Sequence, residues 1–280
     1  LLTMAPNAES DLADIGDIVT SVLNSARGRI FSAMLSYSLR CARVSKAEKG
    51  KRWVQKIKEY FTNGLDRTNE FSSLEFSLVL GQHLPYIYYL DGEWVASNIN
   101  CIFPKDNEHH WKAGFTGYLF YSSQLHKDLY LLLRNNSHYS KALETKFDDR
   151  NSSERIIQHI CIGYLHNLEN LDDDKSLISQ VFEKKDPDQF LELIRFFWML
   201  RDKITAEHKI KIKPLGNKMF EILSSEQNNP VYKRVLSQLS LWLVLIDKLD
   251  EHTSEWFKLS SKNLEPIEEI FFVEYLLEHV

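Results

Sequence analysis

Hydrophobic residues recur along most of the chain at the three- and four-residue spacing of an amphipathic α-helix. The clearest stripe runs through Phe31, Leu35 and Leu39, and Asn24 or Ser25 is placed to cap the start of its helix. The same spacing predicts further helices at Phe71–Leu84, ended by Pro85, at Glu93–Phe103, ended by Pro104, and at Trp111–Leu119, Leu125–Leu133, Ile156–Leu165, Leu191–Leu200, Val231–Leu249 and Glu265–Val280.

Signals for β-structure are weak throughout the sequence. Asp91-Gly92 is the one candidate hairpin turn, and helical patterns flank it on both sides. The predicted fold class is therefore all-α. We expect Ser152 or Ser153 and Asp188 to start two of the helices, and Asp91 to cap the helix that carries Trp94. About a dozen helices with short connections are typical of stacked helical hairpins, as in a degenerate TPR- or HEAT-like solenoid. A non-repeating globular helical domain is the alternative, because no fixed repeat period is found.

The 280 residues are predicted to form a single helical-repeat-like domain over residues 1–280. The polar segment Phe147–Ser153 marks a possible subdivision, and Glu169–Lys175 is predicted to be an exposed loop. Because the sequence begins with Leu1 and not with methionine, we expect it to be a fragment of a longer protein. Such a fragment does not need chemistry of its own.

Composition excludes several classes of protein. Hydrophobic residues make up 44% and charged residues 26% of the chain, which is ordinary globular usage and not that of a disordered protein. The net charge of −5 gives no overall attraction to nucleic acid or to an anionic membrane. Ten glycines and seven prolines leave little material for hairpins or phosphate-binding loops. Three separated cysteines and the lack of a long apolar run predict a cytoplasmic protein without disulfides or membrane spans.

Candidate metal ligands and catalytic groups are few. The common motifs for phosphate binding, dinucleotide binding, zinc proteases, serine hydrolases and zinc deaminases do not occur. His159 and His166 share one face of their predicted helix, but Cys161 points away from His166, which argues against a metal site. The adjacent His109 and His110 diverge for the same reason. We therefore predict no enzyme activity, no catalytic residue, no metal and no cofactor.

Runs of like charge are predicted to be solvated surface. Acidic residues cluster at Asp148–Asp149, Asp172–Asp174 and Glu268–Glu269. Acid–base catalysis needs a carboxyl group with a raised pKa in a dry pocket, whereas these clusters lie in polar segments. An active site is not expected in any of them.

The basic stretch Lys46–Lys58 is the strongest candidate for contact with nucleic acid. Its cations are Lys46, Lys49, Lys51, Arg52, Lys56 and Lys58, and they are interleaved with Glu48 and Glu59. Trp53 and Ile57 supply an apolar stripe, so the stretch is typical of an amphipathic surface helix. A phosphate-binding face on this helix is the alternative.

Aromatic residues are abundant, at 12% of the chain, and form three clusters along it. The first holds Tyr86, Tyr88, Tyr89 and Trp94, the second holds Trp111, Phe115, Tyr118, Phe120 and Tyr121, and the third is Phe196–Trp198. At helical spacing such residues are predicted to form the core. Three consecutive aromatics cannot face one way, so the third cluster is either a helix buried on several sides or part of a partner-binding patch.

The order of several short segments carries a family resemblance. It begins with Asn24–Leu39 and continues through Leu80-Gly81, Tyr89–Asp91, Trp94, Ile102–Pro104, Trp111–Leu119, Leu129–Arg134, Tyr139 and Ala142-Leu143. This order, which covers roughly residues 20–145, resembles the C-terminal helical sensor regions of large bacterial antiphage defence proteins with a STAND-type core or a sirtuin-like effector. None of the segments is a catalytic motif.

The resemblance implies a non-enzymatic protein-recognition domain of an antiviral defence protein. Its partners would be a phage protein and the other domains of the same full-length chain, and binding would control an effector encoded elsewhere in that chain. The residues that bind the partner are not specified by the sequence. The alternative functions are a nucleic-acid-binding helical scaffold that uses the Lys46–Lys58 face and an enzyme of unfamiliar type.

Overall fold

The structure, a computed structural model, describes residues 18–68, 72–122, 124–226, 228–246 and 250–262. These ranges hold fifteen α-helices and two short 3₁₀ helices and no β-strand, so the all-α prediction is confirmed for them. The chain divides between Ile156 and Ile157 into two compact units, named unit 1 and unit 2 in chain order. None of the helices in the described ranges is long and apolar enough to cross a bilayer.

The helices of unit 1 are short, and connections of a few residues join most of them. They are α1 (Ile18–Asn24), α2 (Ala26–Ser45), α3 (Gln55–Gly64), α4 (Leu74–Gln82), α5 (Leu84–Leu90), α6 (Gly92–Ile102), α7 (Glu108–Tyr121), α8 (Lys127–Asn135) and α9 (His138–Glu144). The next helix, α10 (Arg150–Leu165), contains the division between the units.

Unit 2 continues the helical pattern. Its helices after α10 are α11 (Leu177–Lys184), α12 (Pro187–Met199), α13 (Ala206–Ser225), α14 (Pro230–Leu239) and α15 (Glu251–Ser261). The 3₁₀ helices are Arg201–Lys203 and Ser240–Leu245, so the predicted helix Val231–Leu249 continues as a 3₁₀ helix after Leu239. The predicted helix Glu265–Val280 and the pair Glu268–Glu269 lie outside the described residues.

Two of the expected helix caps are confirmed. The Ser25 hydroxyl accepts a hydrogen bond from the Gly28 amide at 2.9 Å, and this bond caps α2. The Asp91 carboxylate accepts one from the Trp94 amide at 2.9 Å and caps α6. These caps satisfy backbone donors that have no partner inside the helix.

Two other helix starts differ from the prediction by a few residues. Ser152 and Ser153 lie inside α10, and Asp149 accepts a hydrogen bond from the Ser152 amide. The cap of α12 is Asp186 and not Asp188, because Pro187 occupies the first turn, where its missing amide proton costs nothing.

Two segments predicted from charge were interpreted wrongly. The stretch Lys46–Lys58 is not one amphipathic helix, because α2 ends at Ser45 with Lys46 as its left-handed cap (φ 49°) and α3 begins only at Gln55. Glu169–Lys175 is an exposed loop only in part, because Glu169 is buried and its carboxylate accepts hydrogen bonds from the Leu177 amide and a serine hydroxyl.

The centre of unit 1 is the contact between α4 and α7. Gly81 lies against the backbone of Gly114, and Gly117 lies against the carbonyl of Leu78, so side chains do not keep the two helices apart. Ser77 in the first half of α4 lies 2.8 Å from His110 in the first turn of α7, whereas Gly81 near the end of α4 lies against Gly114 and Tyr118 further along α7. The two helices therefore run parallel. On another side of α4, Phe76 packs against Phe31 of α2 and Phe61 of α3, with ring centroids 5.0 and 5.3 Å apart.

In unit 2 the core forms around two tryptophans. The indole of Trp242 packs edge-on against Phe197 at 5.4 Å and donates a hydrogen bond to the Ile194 carbonyl. The ring of Trp256 lies directly against Gly216 of α13. Of the cluster Phe196–Trp198, only Phe197 is fully buried, and its two neighbours are half-buried.

Candidate functional site

Unit 1 contains a cavity of about 690 Å³ that opens at its surface. We call it the tyrosine pocket, because three partly exposed tyrosines line it. Its lining residues are Leu39, Arg43, Gln82, His83, Pro85, Tyr86, Tyr89, Tyr121, Ser122, Gln124 and His126. A volume of this size lies within the usual range for ligand-binding sites in proteins.

The parallel packing of α4 and α7 brings two helix ends to this pocket. α4 ends at Gln82 and α7 ends at Tyr121. Because Gly81 and Gly117 let the two backbones touch, these ends lie side by side. The third wall is α2, which contributes Leu39 and Arg43, four residues apart and therefore neighbours on one flank of the helix.

A sharp junction between α4 and α5 places two of the tyrosines. His83 is the C-cap of α4 and the residue before α5, and Pro85 lies in the first turn of α5. The predicted helix Phe71–Leu84 therefore ends earlier, at Gln82, and Pro85 begins a new helix and does not end the old one. Tyr86 and Tyr89 follow at a three-residue spacing, so both rings lie on one face of α5. They are 50% and 44% exposed, whereas Ile87 between them is fully buried.

The tyrosine rings are held by specific contacts. The Arg52 guanidinium lies 4.4 Å from the centroid of the Tyr89 ring and donates a hydrogen bond to the Tyr89 carbonyl at 3.1 Å. Tyr121 packs against Phe120 with centroids 5.0 Å apart, and burial raises the pKa of its hydroxyl, which therefore stays protonated at neutral pH.

Two buried polar atoms at the pocket have no hydrogen-bond partner. They are Gln82 Oε1 and His83 Nδ1. The other ring nitrogen of His83 lies 3.3 Å from the Ser32 hydroxyl. Burial lowers the pKa of His83 to about 4, so the ring is neutral at physiological pH. Buried polar groups without partners are rare in folded proteins. Because neither atom is exposed, a molecule in the pocket would reach them only if the surrounding side chains moved.

The predicted metal candidates do not form a site in the described part of the chain. His159 and Cys161 are fully buried, and burial raises the pKa of the Cys161 thiol well above its usual range. His166 is exposed. No group of three or more His, Cys, Asp or Glu side chains that could hold a metal occurs in the described residues.

The basic stretch Lys46–Lys58 is partly used for internal contacts. Arg52 stacks on Tyr89, and Lys58 binds the Asp91 carboxylate at 2.6 Å. Lys51 lies 3.6 Å from Glu48. The acidic clusters are also structural or exposed: Asp148 binds Lys112 at 2.8 Å, and residues 172–174 lie at the surface.

A second polar cluster was not found from the sequence. The Ser77 hydroxyl lies 2.8 Å from His110 Nδ1, and Arg67 Nη1 lies 3.0 Å from the same hydroxyl. Arg67 also donates to the Cys101 carbonyl at 2.7 Å, and burial lowers its pKa. Ser77 is fully buried and closed to a substrate, so the cluster ties neighbouring segments together and does not form an active site.

The sequence predicted Tyr86, Tyr89 and Tyr121 to be core residues, which is wrong, because their side chains are 50%, 44% and 39% exposed. Tyr86 and Tyr89 were assigned to one cluster with Trp94, but Trp94 belongs to the core, 4.9 Å from Trp53. Tyr121 was assigned to another cluster, of which Trp111 is buried. No pattern along the chain indicates that Tyr121 lines the same cavity as Tyr86, because this arrangement depends on how α4 and α7 pack.

Comparisons with protein-family models, with curated proteins and with solved structures returned no match. The functional assignment of the tyrosine pocket therefore rests on its own geometry and chemistry.

Proposed function

We propose that this chain is a non-enzymatic helical recognition domain that binds a segment of a protein partner in the tyrosine pocket. One observation carries the proposal: Tyr86, Tyr89 and Tyr121 present partly exposed rings around a single cavity. Tyrosine is enriched in protein interfaces, because its rigid ring buries a large area at low entropic cost while its hydroxyl can form hydrogen bonds. An open cavity with such walls favours an extended segment over a fully enclosed small molecule.

The resemblance of residues 20–145 supplies the class of partner. We take it to be a phage protein made during infection, whose binding in the cytoplasm shifts a longer defence protein towards its active arrangement. Stacked hairpins of a degenerate TPR- or HEAT-like solenoid belong to the same proposal. Sequence neighbours that pack as pairs, such as α5 with α6 and α8 with α9, support it, whereas the parallel pair α4 and α7 is not a hairpin.

Nucleic-acid binding through Lys46–Lys58 is the less favoured function. The stretch is not a continuous helix, and Arg52 and Lys58 are engaged by Tyr89 and Asp91. Retention of the chain on DNA or RNA that falls steeply with salt would favour this alternative.

A selection on the pocket tests the proposal. The whole chain is used to select from a random peptide library, and the Kd of each enriched peptide is measured. We expect the double variant Tyr86→Ala, Tyr89→Ala to weaken binding by about tenfold or more. The matched control is Tyr37→Ala, which removes a tyrosine that is 58% exposed on α2 outside the pocket, and it should leave the Kd unchanged.

Three results would contradict the proposal. They are the absence of any enriched peptide, an equal loss of binding in the double variant and in Tyr37→Ala, and turnover of a nucleotide by this chain. The viral partner is tested separately: a phage protein retained from infected cells by the wild type and not by the double variant must bind again as a purified protein.

A further inference from the structure

The tyrosine pocket differs in charge from the chain as a whole. The protein carries a net charge of −5, but no Asp or Glu is among the residues that line the pocket. Arg43 contributes a full positive charge to the lining, and it is exposed and forms no ion pair with a described residue. A second cation, Arg52, does not line the pocket but lies over the ring of Tyr89, 4.4 Å from its centroid. The local field therefore attracts an anion, although the net charge of the protein does not.

The tyrosines set a second requirement. Tyr86 and Tyr89 are 50% and 44% exposed beside the cavity, so a flat or apolar group can pack against their rings. His83 adds no positive charge to the pocket, because burial keeps its ring neutral at physiological pH. A peptide supplies both kinds of group, since its acidic side chains carry carboxylates and its other side chains can be flat or apolar.

We propose that the tyrosine pocket selects an acidic protein segment in which a carboxylate pairs with Arg43 beside a flat or apolar side chain held by Tyr86 and Tyr89. This inference rests on the proposed function and names the chemistry of its partner. Arg43 is the specificity-determining residue. Its guanidinium can bind a carboxylate through two parallel hydrogen bonds, which a lysine at the same place could not do.

Charge reversal on Arg43 tests the inference. The probes are a labelled peptide of alternating Glu and Tyr and two matched peptides in which Gln or Lys replaces Glu. We expect the wild type to bind the Glu peptide at least tenfold more tightly than the Gln peptide, with binding that weakens as salt is added. Arg43→Glu should abolish this preference and favour the Lys peptide. Arg43→Lys should bind the Glu peptide more weakly than the wild type does, because it keeps the charge and loses the paired hydrogen bonds.

Arg40→Glu is the matched control, because Arg40 is an exposed arginine on the same helix that does not line the pocket. It makes the same change in net charge and should leave the preference for the Glu peptide intact. Equal effects of Arg43→Glu and Arg40→Glu would overturn the inference, because they would indicate a diffuse charge effect. Circular dichroism checks that each variant is folded, which we expect for exposed positions.

Failure of this inference is distinguishable from failure of the proposed function. If library peptides bind and depend on Tyr86 and Tyr89, but are not acidic and ignore Arg43→Glu, the recognition function stands and the acidic class is wrong. If no peptide of any charge depends on the tyrosines, both are wrong.

Discussion

Gly81 of α4 lies directly against the carbonyl oxygen of Gly114 of α7. The oxygen occupies the space that the β-carbon of any other residue at position 81 would need. Gly117 meets the Leu78 carbonyl in the same way one turn further along α7. Backbone contact of this kind fixes both the distance and the register of two helices. The positions of Gln82 and Tyr121 at the pocket therefore depend on these three glycines, although none of them lines the pocket.

Replacement of Gly81 by alanine should destabilise the protein. The new β-carbon would overlap the Gly114 backbone, which cannot rotate away as a side chain can. We expect Gly81→Ala to lower the free energy of unfolding by about 2 kcal/mol, as overpacked cores do, despite the better helix propensity of alanine. Denaturant unfolding measures the change. Gly92→Ala is the control, because a β-carbon added at Gly92 would meet the Tyr88 ring at 3.3 Å and no backbone atom as close. A Gly81→Ala variant as stable as this control would contradict the close contact.

Glu75 in the first turn of α4 is fully buried, and neither of its carboxylate oxygens has a hydrogen-bond partner. Such a group opposes folding, because the folded chain removes its hydration without replacing it. We expect Glu75→Gln to raise the free energy of unfolding by about 1–3 kcal/mol, and Glu75→Leu by at least as much. The exposed control Glu59→Gln should stay within about 0.5 kcal/mol of the wild type. Lower stability of both Glu75 variants in thermal unfolding would show that this carboxylate is needed for folding.

Acid should destabilise unit 1 through two buried histidines. Burial lowers the pKa of His138 to about 3, with the charges of Lys105 and Lys141 adding to the shift, and burial lowers that of His83 to about 4. Both histidines titrate near 6.5 in the unfolded chain, so below that pH unfolding takes up protons and stability falls. Between pH 7 and pH 5 we expect each histidine to cost about 2 kcal/mol of stability.

The variant His138→Asn tests this pH dependence. Its stability should change less between pH 7 and pH 5 than that of the wild type, even if its stability at pH 7 is lower because the bond from the Trp111 indole is altered. His109→Asn, at an exposed position, should keep the wild-type slope. If the stability of the wild type and that of His138→Asn fell equally between pH 7 and pH 5, the lowered pKa of His138 would be wrong.

In unit 2, the Glu169 carboxylate is expected to stabilise the fold through its hydrogen bonds. Its Oε2 accepts hydrogen bonds from the Ser176 hydroxyl at 2.6 Å and from the Leu177 amide at 2.7 Å, at the start of α11. We expect Glu169→Ala to cost about 1.5–3 kcal/mol, because bonds to a charged acceptor are lost at a helix start. Glu169→Gln should cost less, since it keeps one acceptor oxygen. Hydrogen exchange at the Leu177 amide should speed up in the alanine variant, whereas the exposed control Glu183→Ala should not change it.

Features determined by nearby residues could be predicted from the sequence. The caps Ser25 and Asp91 each bind an amide three residues away, so a short stretch of sequence contains the whole interaction. Helical periodicity likewise indicated the all-α class, because the pattern repeats within each helix. Where the prediction failed, another part of the chain decided the outcome: Glu169 is buried because it reaches the start of the next helix.

The candidate site could not be predicted, because it joins residues far apart in sequence. Arg43 and Tyr121 each stand about forty positions from Gln82, on opposite sides of it in the sequence, and the three line one pocket only because α2, α4 and α7 pack together. The prediction of one surface helix over Lys46–Lys58 was wrong for a related reason. Its composition suits a surface helix, but Arg52 turns towards Tyr89 and Lys58 towards Asp91, partners that lie 37 and 33 positions away.

The junction at His83 leaves no spare residue between α4 and α5. A single inserted amino acid there would turn α5 by about 100° about its axis, since a helix makes one turn in 3.6 residues. Tyr86 and Tyr89 would then face away from the cavity while every aromatic ring of the site remained in the sequence. The spacing at this corner is thus as necessary to the site as its chemistry, and length changes here would abolish binding as surely as loss of the rings.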